Sequence, residues 1–480
     1  MNKSVTSSFR LQALALACAA ACVASGCALS PTYQVPATPQ PAQFKETLSA
    51  ADKSAAGWAP AAPADALDRG PWWTLFGDAT LNQMAESIEV NNQNVAAAVA
   101  AYAQARALVT EQRATLFPSV DLTGSATRSG GGGAAATGNQ YRVNIGGSWE
   151  PDVWGKLRAG VSGAQAGAAA SAADLAAARL SAQGELASNY FSLRQTDAQK
   201  ALLDATVDGY QRVLTITQNR FNASIAAKSD VLQAQTQLAN AQADQVGLVR
   251  QRAQLEHAIA VLLGKAASDF TLAPASWQVT VPDVPTGLPS TLLERRPDIA
   301  GAERRVAQAN EQIGVARGAY FPSLNLTGAY GVGASHAGGL FNASNSLWSL
   351  GLSAAQNVFD AGAIRARVSG AEATRDQAIA HYRQTVLAAF ADVEDQLAAT
   401  RTLAAQQELR RAASEAADQV EIQLINRYRA GQVSYTDVVT AQNTALAARR
   451  ALVQAQADRQ TTAIALIQSL GGGWHVAAGQ

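Results

Sequence analysis

The sequence predicts a mixed fold of membrane-type β-strands and very long α-helices, and three observations carry that expectation. The 480-residue chain repeats itself at a period of about 205 residues. Each repeat holds two segments in which apolar and polar residues alternate. Each also holds a proline-free stretch of roughly 65 residues, which as helix would be a rod of about 100 Å. The composition agrees: aromatic residues are 6% and Ala dominates the apolar 48%, which suits thin, closely packed helices better than several thick cores. Lys plus Arg and Asp plus Glu both number 37, so the basic excess of a nucleic-acid binder is missing. Beyond the N-terminus no apolar run reaches about 18 residues, which argues against a bundle of membrane-spanning helices.

The chain opens on Lys3 and Arg10, an apolar stretch over 11–23, and the small residues Ala24, Ser25 and Gly26 before Cys27. This is the layout of an export signal, and its apolar part is too short to span a bilayer. Ala24-Ser25-Gly26-Cys27 resembles a bacterial lipoprotein signal, which implies removal of 1–26 and acylation (palmitate included) of Cys27; Cys22 is a weaker competitor. Ala28 after the cysteine resembles the outer-membrane sorting pattern. The three cysteines are Cys18, Cys22 and Cys27, so the mature chain has no disulfide framework. Pro31, Pro36, Pro39, Pro41, Pro60 and Pro63 mark an extended tether.

The repeat is written in three blocks. Phe117-Pro118-Ser119-Val120 returns as Phe321-Pro322-Ser323-Leu324, Val153-Trp154 as Val358-Phe359, and Arg220-Phe221-Asn222-Ala223 as Arg427-Tyr428-Arg429-Ala430. The expected domains are the signal 1–26, the tether and packing segment 27–78, the first repeat 79–267, a linker 268–290, the second repeat 291–470 and a tail 471–480. Each repeat reads helix, strand pair, long helix, turn, second helix. The first helix is expected over 81–116 and its counterpart over 297–317, stopped by Pro118 and Pro322. Val120, Leu122, Gly124 and Ala126 alternate with polar residues, as do Tyr141, Val143, Ile145, Gly147 and Trp149. Leu324, Leu326, Gly328, Tyr330 and Val332 mark a third strand, and Trp348, Leu350, Leu352 and Ala354 a fourth. Pro118, Trp149, Pro151, Pro322 and Phe359 fall where strands meet helices. Long helices follow over 155–219 and 362–429, the second carrying Val386, Phe390, Val393 and Leu397 at the spacing of a coiled-coil seam. Turns near 223–228 and 431–434 lead into return helices.

Four strands with one apolar and one polar face suit a transmembrane β-barrel. Four cannot close around an interior, and open edges in hydrocarbon are too costly to leave. Several copies must therefore share one barrel. Counting alone leaves their number open.

The sequence resembles the outer-membrane efflux factors of the TolC superfamily, in particular the lipoprotein branch of OprM and NodT type. The marks are Cys27 with Pro31 and Tyr33, Pro71-Trp72-Trp73 with Phe76 and Asp78, Asn94-Val95, the two Phe-Pro-Ser junctions, Trp149-Glu150-Pro151-Asp152-Val153-Trp154-Gly155, and Arg295-Arg296-Pro297-Asp298-Ile299. The resemblance implies a homotrimer with a twelve-stranded barrel in outer-membrane lipid, continued by a long periplasmic helical tunnel. It further implies docking on a periplasmic adaptor (membrane fusion) protein and an inner-membrane pump, most often of the resistance-nodulation-division type. Passive exit of delivered substrates would then be the function.

No catalytic, metal or cofactor site is expected: His257, His336, His381 and His475 lack zinc-type spacing, and no phosphate-binding loop appears. By the resemblance, Asp437 matches an acidic position of the periplasmic aperture, with its repeat mate Asp230 a weaker candidate. Thr440 stands where the family pattern has a second Asp, and Val433 replaces an arginine clamp. The bland reading is that Asp437 caps its helix. Arg220 and Arg427 suit helix C-termini, where a cation is favourable. The same resemblance makes Arg220, Phe221, Asn222, Arg427, Tyr428 and Gly431 candidate adaptor contacts. Gly431 is expected to supply a positive φ, with Asn222 or Ser224 serving in the first repeat, so that the two turns need not be identical. Arg295, Arg296 and Asp298 read as structural anchors, and Trp72 and Trp73 as packing residues. The rival reading is a non-porous, structural coiled-coil lipoprotein of the periplasm, which leaves four amphipathic strands without a use.

Overall fold

The computed structural model describes residues 29–38, 44–46, 70–130, 138–282 and 295–472. The export signal, Cys27 and most of the tether lie outside these residues, as do 473–480.

Helix α1 (Ala79–Asn91) starts where Asp78 Oδ1 accepts hydrogen bonds from the N–H groups of Thr80 and Leu81, at 2.9 and 3.0 Å. The single helix expected over 81–116 is in fact two. Asn92 interrupts it with an extended backbone, φ −69° and ψ 122°. Its Oδ1 accepts from the N–H groups of Asn94 and Val95 at 3.0 and 3.1 Å, and its Nδ2 donates to the carbonyl of Leu262 at 2.8 Å. One side chain thus caps α2 (Gln93–Ala114) and pins the break to a neighbouring helix end, which outweighs the favourable helix propensity on both sides.

Four strands follow the expected phase: β1 (Ser119–Ser129), β2 (Gly138–Trp149), β3 (Ser323–Ala334) and β4 (Ser346–Ala355). They form one antiparallel sheet in the order β1-β2-β3-β4. The two hairpins are joined through β2 and β3, with Ile145 opposite Tyr330 and Trp149 opposite Leu326. That pairing makes a single sheet of the two repeats.

The helices reproduce the repeat. Helix α3 (Lys156–Asn222) and its mate α6 (Ala363–Arg429) both have 67 residues. The return helices α4 (Lys228–Leu262) and α7 (Tyr435–Ser469) both have 35. Between them, α5 (Pro297–Arg317) leads into β3. Two aspartates not read as caps in the sequence set the starts of the long helices. Asp152 accepts from the N–H groups of Leu157 and Arg158 at 3.0 and 2.8 Å. Its mate Asp360 accepts from those of Gly362 and Ile364 at 2.9 and 2.6 Å. These bonds hold the Asp360 carboxyl below the usual carboxylate range.

The chain divides into two compact units. Unit one takes its described residues from Met1–Ala37, Ala101–Ala172 and Gly301–Gln384; unit two takes its own from Thr38–Ala100, Ala173–Ala300 and Thr385–Gln480. Unit one contains the sheet. Its first described segment, 29–37, is strapped to helices. The Ser30 hydroxyl donates to Glu311 at 2.7 Å, Asn310 Nδ2 donates to the Pro31 carbonyl at 2.7 Å, and the Tyr33 hydroxyl donates to buried Glu303. Arg383 Nε reaches the Ala37 carbonyl at 3.1 Å.

Unit two is helical and holds most of the buried aromatic residues. Trp72 and Trp73 are buried as expected, with Trp72 edge-on to Phe76 and Phe76 against Phe191 at 5.1 Å. The Tyr190 hydroxyl donates to Asp78 at 2.6 Å; burial, and then that bond, push Tyr190 up to about 12. The seam of Val386, Phe390, Val393 and Leu397 is buried. Helices α3 and α7 run close at Gly184, where a Cβ would meet the flexible end of the Gln468 side chain and push it aside.

Unit two also contains an ionic cluster. Asp197 takes Arg194 at 3.1 Å and Arg252 at 2.8 Å, while Arg252 also holds Glu256 at 3.0 Å. Arg194 donates to the Ala273 carbonyl and Arg252 to that of Leu272. The segment after α4 is thereby clipped to α3 and α4. Further along, Trp277 Nε1 donates to Gln460 at 2.8 Å and extends the clip to α7. Arg296 bridges Asp298 at 2.8 Å, Asp392 at 3.3 Å and the Ser469 carbonyl at 3.1 Å, the anchoring expected of it.

Candidate functional site

The sheet sorts most of its side chains by face. Register places Val120 opposite Gly147, Leu122 opposite Ile145 and Gly124 opposite Val143. Across the next pairs it places Val143 opposite Val332, Tyr330 opposite Trp348 and Leu326 opposite Leu352. One face is therefore apolar across all four strands. The other carries Asp121, Thr123, Arg142, Asn144, Asn325, Thr327, Ser349 and Ser353, with Leu347 departing from the pattern. The apolar face is bare within the chain: Leu350 is 78% exposed and Trp348 79%. Strands of 10 to 12 residues at about 3.3 Å per residue and a tilt near 40° span about 25–30 Å, the height of a hydrocarbon core. Among the described residues the outer edges of β1 and β4 have no strand partner.

Aromatic residues crowd the end of the sheet where strands meet helices. Trp149 donates its Nε1–H to the Leu116 carbonyl at 3.0 Å, just before Pro118 opens the turn into β1. Trp154 Nε1 donates to the carbonyl of Pro322 at 2.8 Å and its ring stacks on Phe321 at 5.1 Å. Pro151 accepts from Val153 N–H in the turn between them. Phe359 is 86% exposed. Indole rings with the polar N–H anchored and the ring partly exposed are suited to a membrane–water boundary.

The helix tips of unit two are built alike. Ile225 N–H bonds to the Arg220 carbonyl at 2.8 Å and Ser224 N–H to that of Phe221 at 2.9 Å. In the second repeat Gln432 N–H bonds to Arg427 at 2.9 Å and Gly431 N–H to Tyr428 at 3.0 Å. Both are Schellman endings, with Ser224 at φ 62° and Gly431 at φ 76°. The positive φ expected at Gly431, and at Asn222 or Ser224, falls on Gly431 and Ser224, and the two backbones close alike. The left-handed residue required by the motif is Ser in one copy and Gly in the other, and Asn222 instead remains helical, its Oδ1 accepting from Gln218 at 3.1 Å.

Arg220 does more than favour a helix end. Its Nη1 donates to the Tyr428 carbonyl at 2.5 Å, and its guanidinium lies 4.7 Å from the centre of the Tyr428 ring. Tyr428 is buried with Val213, Ala234, Tyr435 and Val438, and its hydroxyl donates to Thr217 at 3.3 Å. The two tips are knotted to each other within one chain. Burial of Tyr435 in the same cluster raises its hydroxyl well above the ordinary tyrosine range. Phe221 carries the Lys228 ammonium 5.3 Å from its ring centre, and Arg427 is exposed.

Asp437 is exposed and caps α7. Its Oδ2 accepts from the Ser434 backbone N–H at 3.0 Å and from the Ser434 hydroxyl at 2.7 Å, and its own N–H bonds to Ser434 Oγ at 3.3 Å. This is a reciprocal capping box. Asp437 also borders a groove of about 500 Å³ between α6 and α7, floored by Ala413, Ala416, Ala417 and Val420. Asp230 is half-buried in the first turn of α4, with Ser229 Oγ 3.4 Å from its Oδ1. Among the described residues no cluster of three or more His, Cys, Asp or Glu side chains could hold a metal ion. Asp152, Asp360 and Ser434 were missed in the sequence, although an Asp or Ser just ahead of a long helical pattern is the ordinary signal of a cap.

A sheet with an uncovered apolar face and two open edges, joined to helices of 67 residues, defines the protomer of a membrane channel with a long helical extension. Residues 84–265 and 288–472 match the family model described as "Outer membrane efflux protein". Solvent efflux pump outer membrane protein SrpC of Pseudomonas putida is 31% identical over 461 residues, covering 94% of this chain and 96% of SrpC. Cation efflux system protein CusC of Escherichia coli is 30% identical over 468 residues, covering 94% of this chain and 98% of CusC. The solved structure of the outer-membrane channel OprN superimposes with a TM-score of 0.84 at 29% identity, over 93% of this chain and all of that one.

The chain belongs to the outer membrane efflux protein family. It is an outer-membrane channel component of an efflux system, with a periplasmic helical region, and a transport protein in place of an enzyme. The non-porous coiled-coil reading is set aside, since the four strands it could not use form the sheet of a channel protomer.

Proposed function

We propose that three copies of this chain close a twelve-stranded barrel in the outer membrane and give passive exit to substrates delivered by an inner-membrane pump. The observation that carries the reading is the four-stranded sheet with one bare apolar face and two open edges. Twelve such strands at about 4.8 Å spacing and 40–45° tilt would enclose a cylinder with a backbone diameter of roughly 25 Å. The polar face of Thr, Ser and Asn side chains would line it. A periplasmic adaptor would join the channel to the pump, of the resistance-nodulation-division type, at the tips around Arg220, Phe221, Asn222, Arg427, Tyr428 and Gly431. SrpC is named for solvent and CusC for cations at nearly equal identity to this chain, so cargo choice is assigned to the pump.

The mature chain is further proposed to be a lipoprotein of the OprM and NodT type, acylated at Cys27. Support comes from the strap at 29–37, which holds Ser30 beside Glu311, in the helix that leads into β3 twelve residues further on. An acyl chain two or three residues upstream would then be near the barrel rim. Labelled palmitate should enter the native chain and be absent from Cys27→Ala; equal labelling would refute acylation there.

Asp437 is assigned to an acidic ring at the periplasmic aperture, with Asp230 near it. A threefold set of carboxylates would draw cations to the entrance. The test is recording from purified protein in planar bilayers. Single-channel conductance is expected, with cation preference lowered in Asp437→Asn. Absence of conductance would sink the channel; unchanged reversal potentials in a salt gradient would remove Asp437 from the aperture alone.

A further inference from the structure

Among the described strands the polar face of the sheet carries two charged residues, and they stand toward opposite ends. Asp121 is near the helix end of β1, opposite Gly146. Arg142 lies toward the loop end of β2, opposite Ser125 of β1 and Gly333 of β3. Four residues of strand separate the two levels, about 13 Å. Arg128 belongs to the same loop end but shares the face of Val120.

Arg142 has no carboxylate to meet. The sequence between Asp121 and Glu150 contains no Asp or Glu, and 321–359 contains no Asp, Glu, Lys or Arg. Both strand pairs and their loops fall within these stretches apart from the first residues of β1, so the strands and loops of further copies bring no acid to the loop end. The neighbours of Arg142 are also complete within one chain, because β2 is paired on both sides. Gln140, next along the same face, turns its amide oxygen to Arg142 and accepts from Nε at 3.3 Å and Nη2 at 2.7 Å. Gly333 leaves room for the stem, since a Cβ there would stand 3.4 Å from Arg142 Cγ. A neutral amide thus orients the guanidinium and leaves its permanent charge intact.

We propose that Arg142 is a specificity-determining residue of the channel: its copies form a cationic girdle in the outer half of the barrel, which eases the passage of organic anions and repels polycations arriving from outside. The proposal rests on the twelve-stranded reading above. A barrel of roughly 25 Å backbone diameter puts its axis about 12 Å from the wall. That is close to the Debye length of about 10 Å at 0.1 M salt, so the girdle acts across the whole lumen. Low-dielectric walls focus its field along the pore. Asp121, toward the helices, gives the barrel opposite fixed charge at its two ends. The pump still chooses the cargo; the girdle sets which sign of charge crosses the barrel more easily.

The test is recording from the full-length protein in planar bilayers at about 0.1 M KCl, with a polyanion or a polycation added to the side that the loop end faces. Inositol hexakisphosphate should block the native channel, and at least about fivefold more of it should be needed in Arg142→Gln. Spermine from the same side should leave the native conductance unchanged. Arg142→Glu should exchange the two behaviours, a reversal that a merely structural role for Arg142 would not produce. Raising KCl to about 1 M, where the Debye length is about 3 Å, should remove the block. A conducting native channel that hexakisphosphate does not block, that spermine blocks equally, or whose block is the same in Arg142→Gln overturns the proposal and leaves the channel reading standing. Absence of conductance would overturn both. Should a variant lose native heat-modifiable migration, the two probes on the unaltered protein decide.

Discussion

The sheet of unit one and the helices of unit two solve the same burial problem in opposite ways. Unit two puts its large aromatic residues inside and holds buried charge in a paired cluster of Arg194, Asp197, Arg252 and Glu256. The sheet leaves Leu122, Trp348, Leu350 and Leu352 bare and makes no core of its own. A soluble domain with such a face would aggregate. The difference teaches that the solvent of each region has to be read separately: water and neighbouring helices for one, lipid for the other. Unit two should be vulnerable to losing a polar partner, and the sheet to gaining one.

The largest effect is expected from Asp197→Ala. The carboxylate is 6% exposed and serves two arginines; its loss strands buried charge, at a cost of about 3–5 kcal/mol. Thermal unfolding followed by circular dichroism should show a markedly lower midpoint, and a midpoint near that of the native protein would mean that water already satisfies the cluster. Next comes a paired test on the sheet. Leu350→Arg puts a cation on the apolar face and should cost about 2–4 kcal/mol at mid-bilayer. Ser349→Arg, one residue away on the polar face, should leave assembly intact. Heat-modifiable migration in gels reads both; similar behaviour of the two variants would erase the distinction between the faces.

The smallest effect belongs to the two tips, whose backbones agree where their sequences differ. Ser224 at φ 62° carries the cost of a left-handed residue that Gly431 avoids. Ser224→Gly should stabilise the first tip by about 1 kcal/mol and Gly431→Ser should destabilise the second by a similar amount. Hydrogen exchange at Ile225 and Gln432 would report it, with protection expected to rise at the first and fall at the second. Changes of the same sign at both tips would contradict the shared motif.

Much of this fold was legible because it is periodic. Strand phase, helix lengths and the repeat follow from alternation and from the absence of proline, and each is a local property. The break at Asn92 was hidden because Asn inside an Ala-rich helical pattern gives little warning; its Nδ2 bond to Leu262 comes from 170 residues away. The β2–β3 junction and the clip of residues 272–280 onto α3, α4 and α7 are equally long-range, and no spacing in the sequence announces them. At the candidate site, sequence placed Arg220 at a helix end but not on the ring of Tyr428, since that contact depends on how two hairpins meet. Asp437 caps α7 through Ser434, the plainer of its two readings, and stands exposed at the groove between α6 and α7.

Closure of the sheet by further copies is the claim on which the channel rests, and cross-linking reads it directly. No cysteine occurs after Cys27, so pairs introduced on the polar face at Thr123 or Ser125 of β1 and Ser349 or Ser353 of β4 would be the only ones in the barrel. Oxidation in isolated outer membranes should yield bands of two and then three linked chains, with three the end of the series. Cross-links confined within single chains, or none at any pair, would contradict a barrel shared between copies.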